Sequence, residues 1–261
     1  MLIRKRVEGR GAETVALLVR QWCSAVFRYA VATLRADGDP AAALRGAITR
    51  PKVEHRKPLT RAQITAFLKV LDGFSGFRTT TIALRLALVT FVRTVELRAA
   101  EWSEIDFDRA EWRILAERMK MREPHLVPLS TQALALLREL HKLTGNQRWL
   151  FPNYRRPETC MTATTLNRAL ERMGFNGKDS IGFSAHGFRA TASTILNEAG
   201  YRADVIERQL VHKERNTVRA SYNQAEYLAE RRDMMQQWAD LVDGLAETKK
   251  PAPKKMPRKA A

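Results

Sequence analysis

Apolar residues recur at steps of three and four along most of this 261-residue chain, which is the spacing that buries one face of an α-helix. One stretch, from residue 105 to residue 129, breaks that pattern. Within it, runs of β-favouring residues predict two strands, over 110–115 and 125–129, joined by a charged turn. Because Pro128 cannot donate a main-chain hydrogen bond, the second strand should lie at an edge or at a strand end. The chain is therefore predicted to be mainly α with a small antiparallel β-sheet, an α+β fold.

The helical periodicity also locates the individual helices. Their predicted ranges are 13–35, 41–48, 59–72, 79–92, 95–100, 130–143, 162–173, 185–199, 204–209 and 225–245. The helix from residue 59 should begin with a capping box, because Thr60 is followed three residues later by Gln63. The last helix is expected to include Tyr227.

A polar, basic segment with two prolines interrupts the helical pattern between residues 50 and 58. Such a segment is typical of a linker, and it divides the chain into regions. The predicted regions are a helical unit over 1–49, a basic linker over 50–58, the main domain over 59–246 and a disordered basic tail over 247–261.

The balance of charge is strongly positive, with 45 lysines and arginines against 28 acidic residues and a formal net charge of +17. A large excess remains when the basic tail is set aside, and an excess of this size favours a nucleic-acid partner. A solvated basic surface and attraction to anionic lipid are the alternatives. No apolar run is long enough to span a membrane and no secretory signal is visible, so a cytoplasmic protein is expected.

Familiar catalytic patterns are missing from the sequence. The two cysteines, Cys23 and Cys160, have neither disulfide nor zinc spacing, and the histidines form no HExxH pattern. There is also no Walker-type phosphate loop and no GxSxG motif. We therefore expect no metal and no cofactor.

Cations and tyrosines are the remaining residues suited to chemistry. In chain order they are Arg93 with Glu96, Lys120 in the turn between the predicted strands, His186 with Arg189, His212, and Tyr222. Taken singly, each has an ordinary structural explanation: a solvated charge, a hydrogen-bonded histidine or a packed tyrosine.

Taken together and in this order, these residues resemble the tyrosine recombinases, or phage integrases, and in particular their P4-type prophage subgroup. The resemblance covers residues 10–245 or so. It rests on the segments 90–97 (TFVRTVEL), 101–106 (EWSEID), 116–122 (AERMKMR), 127–129 (VPL), 185–189 (AHGFR), 210–222 and 230–238. It implies a tyrosine-recombinase catalytic domain preceded by a partial helical core-binding domain.

Two features depart from the family pattern. Phe91 stands where the first box usually has glycine, in a Thr-Gly-x-Arg sequence. Only about 50 residues precede the linker, whereas members of the subgroup usually have an arm-site domain and a complete core-binding domain there. The resemblance therefore implies a chain shortened at its N-terminus, without the helices that would cover Val15, Trp22 and Phe27.

The resemblance implies DNA cleavage and religation without metal or ATP, through a 3′-phosphotyrosyl intermediate that conserves the energy of the broken bond. Its implied site residues are Tyr222 as nucleophile, Arg93 and Arg189 on the phosphate, Lys120 as general acid, His186 as proton acceptor for the tyrosine, His212 as phosphate donor, and Glu96 as the partner of Arg93. Tyr222 is preferred over Tyr227 and Tyr201, because its spacing from His212 fits the family.

The resemblance also implies partners. We expect double-stranded DNA at attachment sites, bound by a homo-tetramer whose subunits are monomers in solution, with an accessory DNA-bending protein and a nucleoid location in a bacterium. Phosphate contacts are predicted for the linker and for Arg118, Arg122, Lys213 and Arg215. Whether the apolar stripe of the last helix packs on its own core or on a neighbouring protomer is left open.

The function predicted from these features is site-specific recombination that integrates or excises a mobile element. The alternative is a truncated, catalytically incompetent DNA-binding remnant of an integrase. A basic RNA-binding protein is a third class, but it would have no need of the His-x-x-Arg, His and Tyr set.

Overall fold

The computed structural model describes residues 12–47, 58–119, 123–211 and 227–247. Its α-helices are α1 (Glu13–Ala32), α2 (Arg61–Asp72), α3 (Arg78–Thr90), α4 (Thr94–Arg98), α5 (Thr131–Thr144), α6 (Thr165–Arg172), α7 (Gly187–Glu198), α8 (Ala203–Leu210) and α9 (Leu228–Glu247). Its strands are β1 (Ile105–Asp106), β2 (Glu111–Ile114) and β3 (His125–Pro128). None of these helices is long and apolar enough to cross a membrane. The predicted linker and basic tail lie largely or wholly outside the described residues.

The chain divides between His55 and Arg56 into two compact units. In the first, α1 is followed by a turn that the Asp39 carboxylate holds, by accepting hydrogen bonds from the Ser24 hydroxyl and from the Ala41 main chain. A short 3₁₀ turn at 42–44 stands where a helix over 41–48 was predicted. The predicted apolar face of α1 is present but lies open, since Trp22 is 65% exposed.

The second unit is built around α3, which is buried on nearly every side. Its sequence explains this position, because between residues 79 and 90 only Arg85 is charged. The helix packs against α5, α6, α7 and α9. The capping box predicted for α2 is confirmed: the Thr60 hydroxyl accepts from the Gln63 main chain, and the Gln63 side chain accepts from the Thr60 main chain at 2.8 Å.

The small sheet has three antiparallel strands in the order β1-β2-β3, and both predicted strands are confirmed. Trp112 of β2 pairs with Val127 of β3, and β3 lies at an edge, as Pro128 predicts. The sequence analysis missed β1, because a strand of only two residues shows no alternation.

The last helix, α9, packs against α2, α3, α5, α8 and β3 of its own chain. Its side chains Met234, Trp238 and Val242 are fully or almost fully buried, and the Trp238 indole donates to the Leu88 carbonyl at 2.9 Å. In the single chain, residues 228–247 therefore pack on their own core. The prediction that Tyr227 belongs to this helix is wrong, because its φ of +46° lies in the left-handed region and cannot continue a right-handed helix.

Two helices of the second unit end on non-glycine residues with left-handed backbone: α3 on Phe91 (φ +39°) and α8 on Val211 (φ +51°). A left-handed residue after a helix is ordinarily glycine, because a Cβ atom makes that conformation costly. This gives a physical reason for the family's glycine at the position of Phe91. Here the phenyl ring offsets the cost, because it is fully buried and meets the Trp238 ring edge-on, with 6.4 Å between ring centroids.

We expect Phe91→Gly to lower the free energy of unfolding by about 3 kcal/mol, because the lost packing outweighs the relieved backbone. Ala110→Gly is the matched control, since Ala110 is also left-handed (φ +54°) but has only a methyl group to lose. This control should stay within about 1 kcal/mol of the parent protein. Urea unfolding measures both, and a Phe91→Gly variant as stable as the parent would contradict the assignment.

Candidate active site

Arg93 occupies the junction between α3 and α4, just before the first residue of α4. Its guanidinium donates to Glu96 Oε1 at 2.7 Å and to the Val211 carbonyl at 2.9 Å. The other carboxylate oxygen of Glu96 accepts from the Arg93 main-chain N–H at 2.7 Å. Glu96 is only 1% exposed, so one buried carboxylate fixes both the backbone and the side chain of Arg93.

Arg189 lies in the first turn of α7 and is almost fully buried. Its guanidinium donates to the Phe91 carbonyl at 2.9 Å and to the Leu210 carbonyl. Burial and then the charge of Arg93 lower the pKa of Arg189 to about 10, while the carboxylates of Glu96 and Glu207 act in the opposite direction. The side chain therefore stays protonated at neutral pH.

Arg93 and Arg189 meet at the C-terminal end of α8, where a third arginine joins them. Arg231 of α9 donates to the Gln209 side-chain oxygen from Nε at 3.0 Å and from Nη2 at 2.8 Å. The last carbonyls of a helix lack partners within the helix and carry partial negative charge. Three guanidinium groups thus converge on the consecutive residues Gln209, Leu210 and Val211.

His186 is exposed and directly precedes α7, three residues before Arg189. Gly187 is required beside it, because a Cβ atom there would lie 2.5 Å from the Phe183 ring. The Phe188 ring packs on Phe183 in the core, with 4.9 Å between centroids. In the AHGFR segment, Gly187 and Phe188 therefore pack against the core, whereas His186 faces outward.

Arg118, for which a phosphate contact is predicted, has protein partners. Its guanidinium forms an ion pair with Glu104 and donates to the Glu96 carbonyl. Glu104 is itself buried and accepts from the Trp112 indole at 3.1 Å. Arg118 thus links Glu104 to the α4 segment that holds Arg93, and its phosphate contact stays a prediction.

The remaining predicted site residues lie outside the described residues: Lys120, His212 and Tyr222 among the catalytic set, and Arg122, Lys213 and Arg215 among the DNA contacts. In the part of the chain that is described, no group of three or more His, Cys, Asp or Glu side chains could hold a metal ion.

Sequence reasoning missed a buried polar cluster formed by His125, Gln209 and Arg231. Each of the three is at most 5% exposed. Burial, and then the charges of Arg231 and Arg208, lower the pKa of His125 to about 3. Within the described residues its Nε2 atom has no hydrogen-bond partner. The sequence did contain a signal that Arg231 is special, because this residue is a single cation on the apolar stripe of α9.

The low pKa of His125 should make stability depend on pH. The unfolded chain takes up this proton near the ordinary value of 6.5 and the folded chain only near 3, so the contribution is complete above 6.5 and declines as the pH falls. The slope reaches at most about 1.4 kcal/mol per pH unit. From pH 7 to 4, unfolding free energy should fall less steeply for His125→Gln than for the parent, while the exposed His141→Gln control follows the parent. Equal slopes for all three proteins would refute this account of His125.

Two family models match the chain: the "Phage integrase family" over residues 57–228 and the "Phage integrase central domain" over residues 2–47. Among curated proteins, the integrase of Enterobacteria phage P4 is 42% identical over 253 residues, which cover 92% of this chain and 57% of the P4 protein. The chain thus spans somewhat more than half the length of this relative.

Solved structures show the same fold. The Tn1549 transposon integrase, in complex with circular intermediate DNA, matches with a TM-score of 0.64 and 17% identity, over 88% of this chain and 82% of that one. A lambda integrase tetramer bound to a Holliday junction matches with a TM-score of 0.64 and 22% identity, over 83% of this chain and 63% of that one. The family model over residues 57–228, together with this shared fold, shows that the chain belongs to the phage integrase family.

Proposed function

We propose that this chain carries out site-specific DNA recombination, cleaving and rejoining strands through a 3′-phosphotyrosyl intermediate to integrate or excise a mobile element. The observation that carries the proposal is the pair Arg93 and Arg189, held on one helix end in a chain of the phage integrase family. Two fixed guanidinium groups are what a phosphoryl transfer needs when charge grows on the non-bridging oxygens.

The two arginines are suited to this role in different ways. An arginine has five N–H donors, and Arg93 and Arg189 each make two contacts to protein oxygens among the described residues, which leaves donors for a phosphate. The Arg93 side chain keeps 19% of its surface exposed, and Arg189 is buried beside it. In this proposal both guanidinium groups donate to the non-bridging oxygens of the phosphate.

Residues outside the described ranges, together with His186, complete the proposed reaction. The Tyr222 oxygen attacks the phosphorus, the bond to the 5′-oxygen breaks, and the phosphate stays on the tyrosine. His186 accepts the tyrosine proton, Lys120 gives a proton to the departing 5′-oxygen, and His212 donates to the phosphate. In religation a 5′-hydroxyl attacks the phosphorus of the phosphotyrosine, the bond to the Tyr222 oxygen breaks, and the protons return.

A DNA-binding remnant without chemistry is the competing proposal, and the site geometry argues against it. A remnant needs only surface cations, whereas Glu96 is buried and orients Arg93 through both of its carboxylate oxygens. The family's solved members support DNA as the partner, since one is a complex with circular intermediate DNA and another is a tetramer on a Holliday junction.

The rest of the organisation follows from this proposal. The unit over 1–49 forms part of a core-binding domain, the linker 50–58 crosses a groove of double-stranded DNA, and the catalytic domain is 59–246. The protein acts as a tetramer at attachment sites on nucleoid DNA, with an accessory DNA-bending protein, and is a monomer in solution.

Covalent trapping tests the proposal directly. The protein, in a buffer with a metal chelator, is incubated with a nicked suicide duplex carrying the ends of its element, and denaturing gels detect the adduct. We expect an adduct with the parent protein and none with Tyr222→Phe, whereas Tyr227→Phe and Tyr201→Phe keep it. Tight duplex binding without any adduct would instead favour the remnant.

The proton donor can be tested separately. Lys120→Ala should slow adduct formation on ordinary DNA by about 10²-fold or more, because the 5′-oxygen then leaves unprotonated. A duplex with sulfur in place of that oxygen should restore the rate, since a thiolate leaves without a proton. Arg93→Ala is the control, which the sulfur substitution should not rescue. If the sulfur substrate leaves Lys120→Ala as slow as before, lysine is not the general acid.

A further inference from the structure

Arg231 is the most deeply buried cation in the described part of the chain. It lies in the first turn of α9, and none of its surface is exposed. Besides its two bonds to Gln209 Oε1, its Nη2 atom donates to the Leu126 carbonyl of β3. One guanidinium therefore joins the end of α8, the edge strand β3 and the start of α9.

These three elements are the ones that flank the proposed catalytic residues in sequence. Gln209 precedes His212 by three residues, Leu126 follows Lys120 by six, and Arg231 itself follows Tyr222 by nine. A contact that fixes these three elements relative to one another also fixes one end of each segment that carries one of these three residues.

An apolar side chain at this position would pack at a lower desolvation free energy than arginine does. The neighbouring stripe of α9 is formed by Met234, Met235 and Trp238, and burying a charge costs free energy unless hydrogen bonds replace its water. What arginine adds is direction, because its planar fork holds each acceptor at a set angle. His125, kept neutral beside it, adds no competing charge.

We propose that Arg231 is a positioning residue for strand cleavage, which sets the mutual placement of α8, β3 and α9, the elements that border the segments carrying His212, Lys120 and Tyr222 in the sequence. The proposal rests on the proposed recombinase function. Arg231 touches neither the phosphate nor the nucleophile in this role, and it acts only through the three elements that it joins.

Single-turnover trapping separates positioning from folding, because the rate constant reports geometry and the amplitude reports the folded fraction. With DNA affinity within about threefold of the parent, Arg231→Met should lower the cleavage rate constant by about 10²-fold, the size expected for a displacement of about 1 Å. Arg231→Lys, which keeps the charge without the fork, should be intermediate. A parent-like rate constant with reduced amplitude would overturn the proposal.

Arg232→Met is the matched control. Arg232 is the next residue on α9 and also ties the helix to the sheet region, through Glu111 and the Arg109 carbonyl, but it is 38% exposed at its side chain. Its rate constant should stay within about threefold of the parent. A defect equal to that of Arg231→Met would show that any contact between α9 and the sheet serves, which also overturns the proposal.

A second variant covers the case in which Arg231→Met does not fold. The double variant Arg231→Met/Gln209→Met removes both side chains of this pair, so that the Gln209 side-chain oxygen is not left without its donor. It should fold and show the same loss in rate constant, whereas a parent-like rate would overturn the proposal.

Hydrogen exchange distinguishes failure of this inference from failure of the recombinase proposal. If even the parent forms no adduct, the recombinase proposal fails, and hydrogen exchange alone then tests whether Arg231 holds α8, β3 and α9 together. Amides of residues 125–127, 205–211 and 231–232 should lose protection together in Arg231→Met but not in Arg232→Met. Unchanged protection in Arg231→Met would show that Arg231 does not hold these three elements together, which refutes the inference.

Discussion

The capping of one helix end organises this molecule. α8 ends at Leu210. Arg189 in α7 donates to the Leu210 carbonyl, Arg93 before α4 donates to the carbonyl of the following Val211, and Arg231 in α9 joins them through the Gln209 side chain. Carbonyls at a helix C-terminus lack partners within the helix, and the helix dipole makes that end favourable for cations. Many helices satisfy these groups with a local glycine turn. Here residues as far as 118 positions away supply the donors, so the carbonyls at the end of α8 gain their hydrogen-bond partners only when the whole domain has folded.

Placing several arginines together requires compensation for their mutual repulsion. One buried carboxylate, Glu96, neutralises Arg93, and the helix-end carbonyls supply partial negative charge to Arg93 and Arg189. His125 contributes by staying neutral, because burial and the nearby arginines disfavour its charged form. Burial is the main cause of the lowered pKa of Arg189, and the charge of Arg93 adds to it, so the carboxylates of Glu96 and Glu207 offset these effects only in part. A bound phosphodiester would supply the charge that is still missing.

The sequence predicts what local patterns encode. Helical periodicity found the helices around the core, the Thr60 capping box marked the start of α2, and two strands were identified by their β-favouring residues. What it missed depends on distant contacts. The two-residue strand β1 exists only because β2 pairs with it, and Arg231 has no local reason to be buried until Gln209 and the β3 carbonyl are brought beside it. The pairing of Arg93 with Glu96, three residues apart, was the part of the site that a local pattern could give.

The departure at Phe91 shows why the core and the site cannot be treated separately. Phe91 adopts the left-handed backbone that lets α3 end and the chain turn into Arg93, and its carbonyl in that conformation accepts from Arg189. Its ring, meanwhile, packs against Trp238 of α9, the helix that carries Arg231. Glycine would provide the same turn without the ring. With phenylalanine, the turn at Phe91 is anchored to α9 by its ring. This turn orients Arg93 and accepts from Arg189, and α9 carries Arg231. Core packing in this chain therefore holds all three guanidinium groups at one helix end, and the concentration of positive charge there follows from that packing.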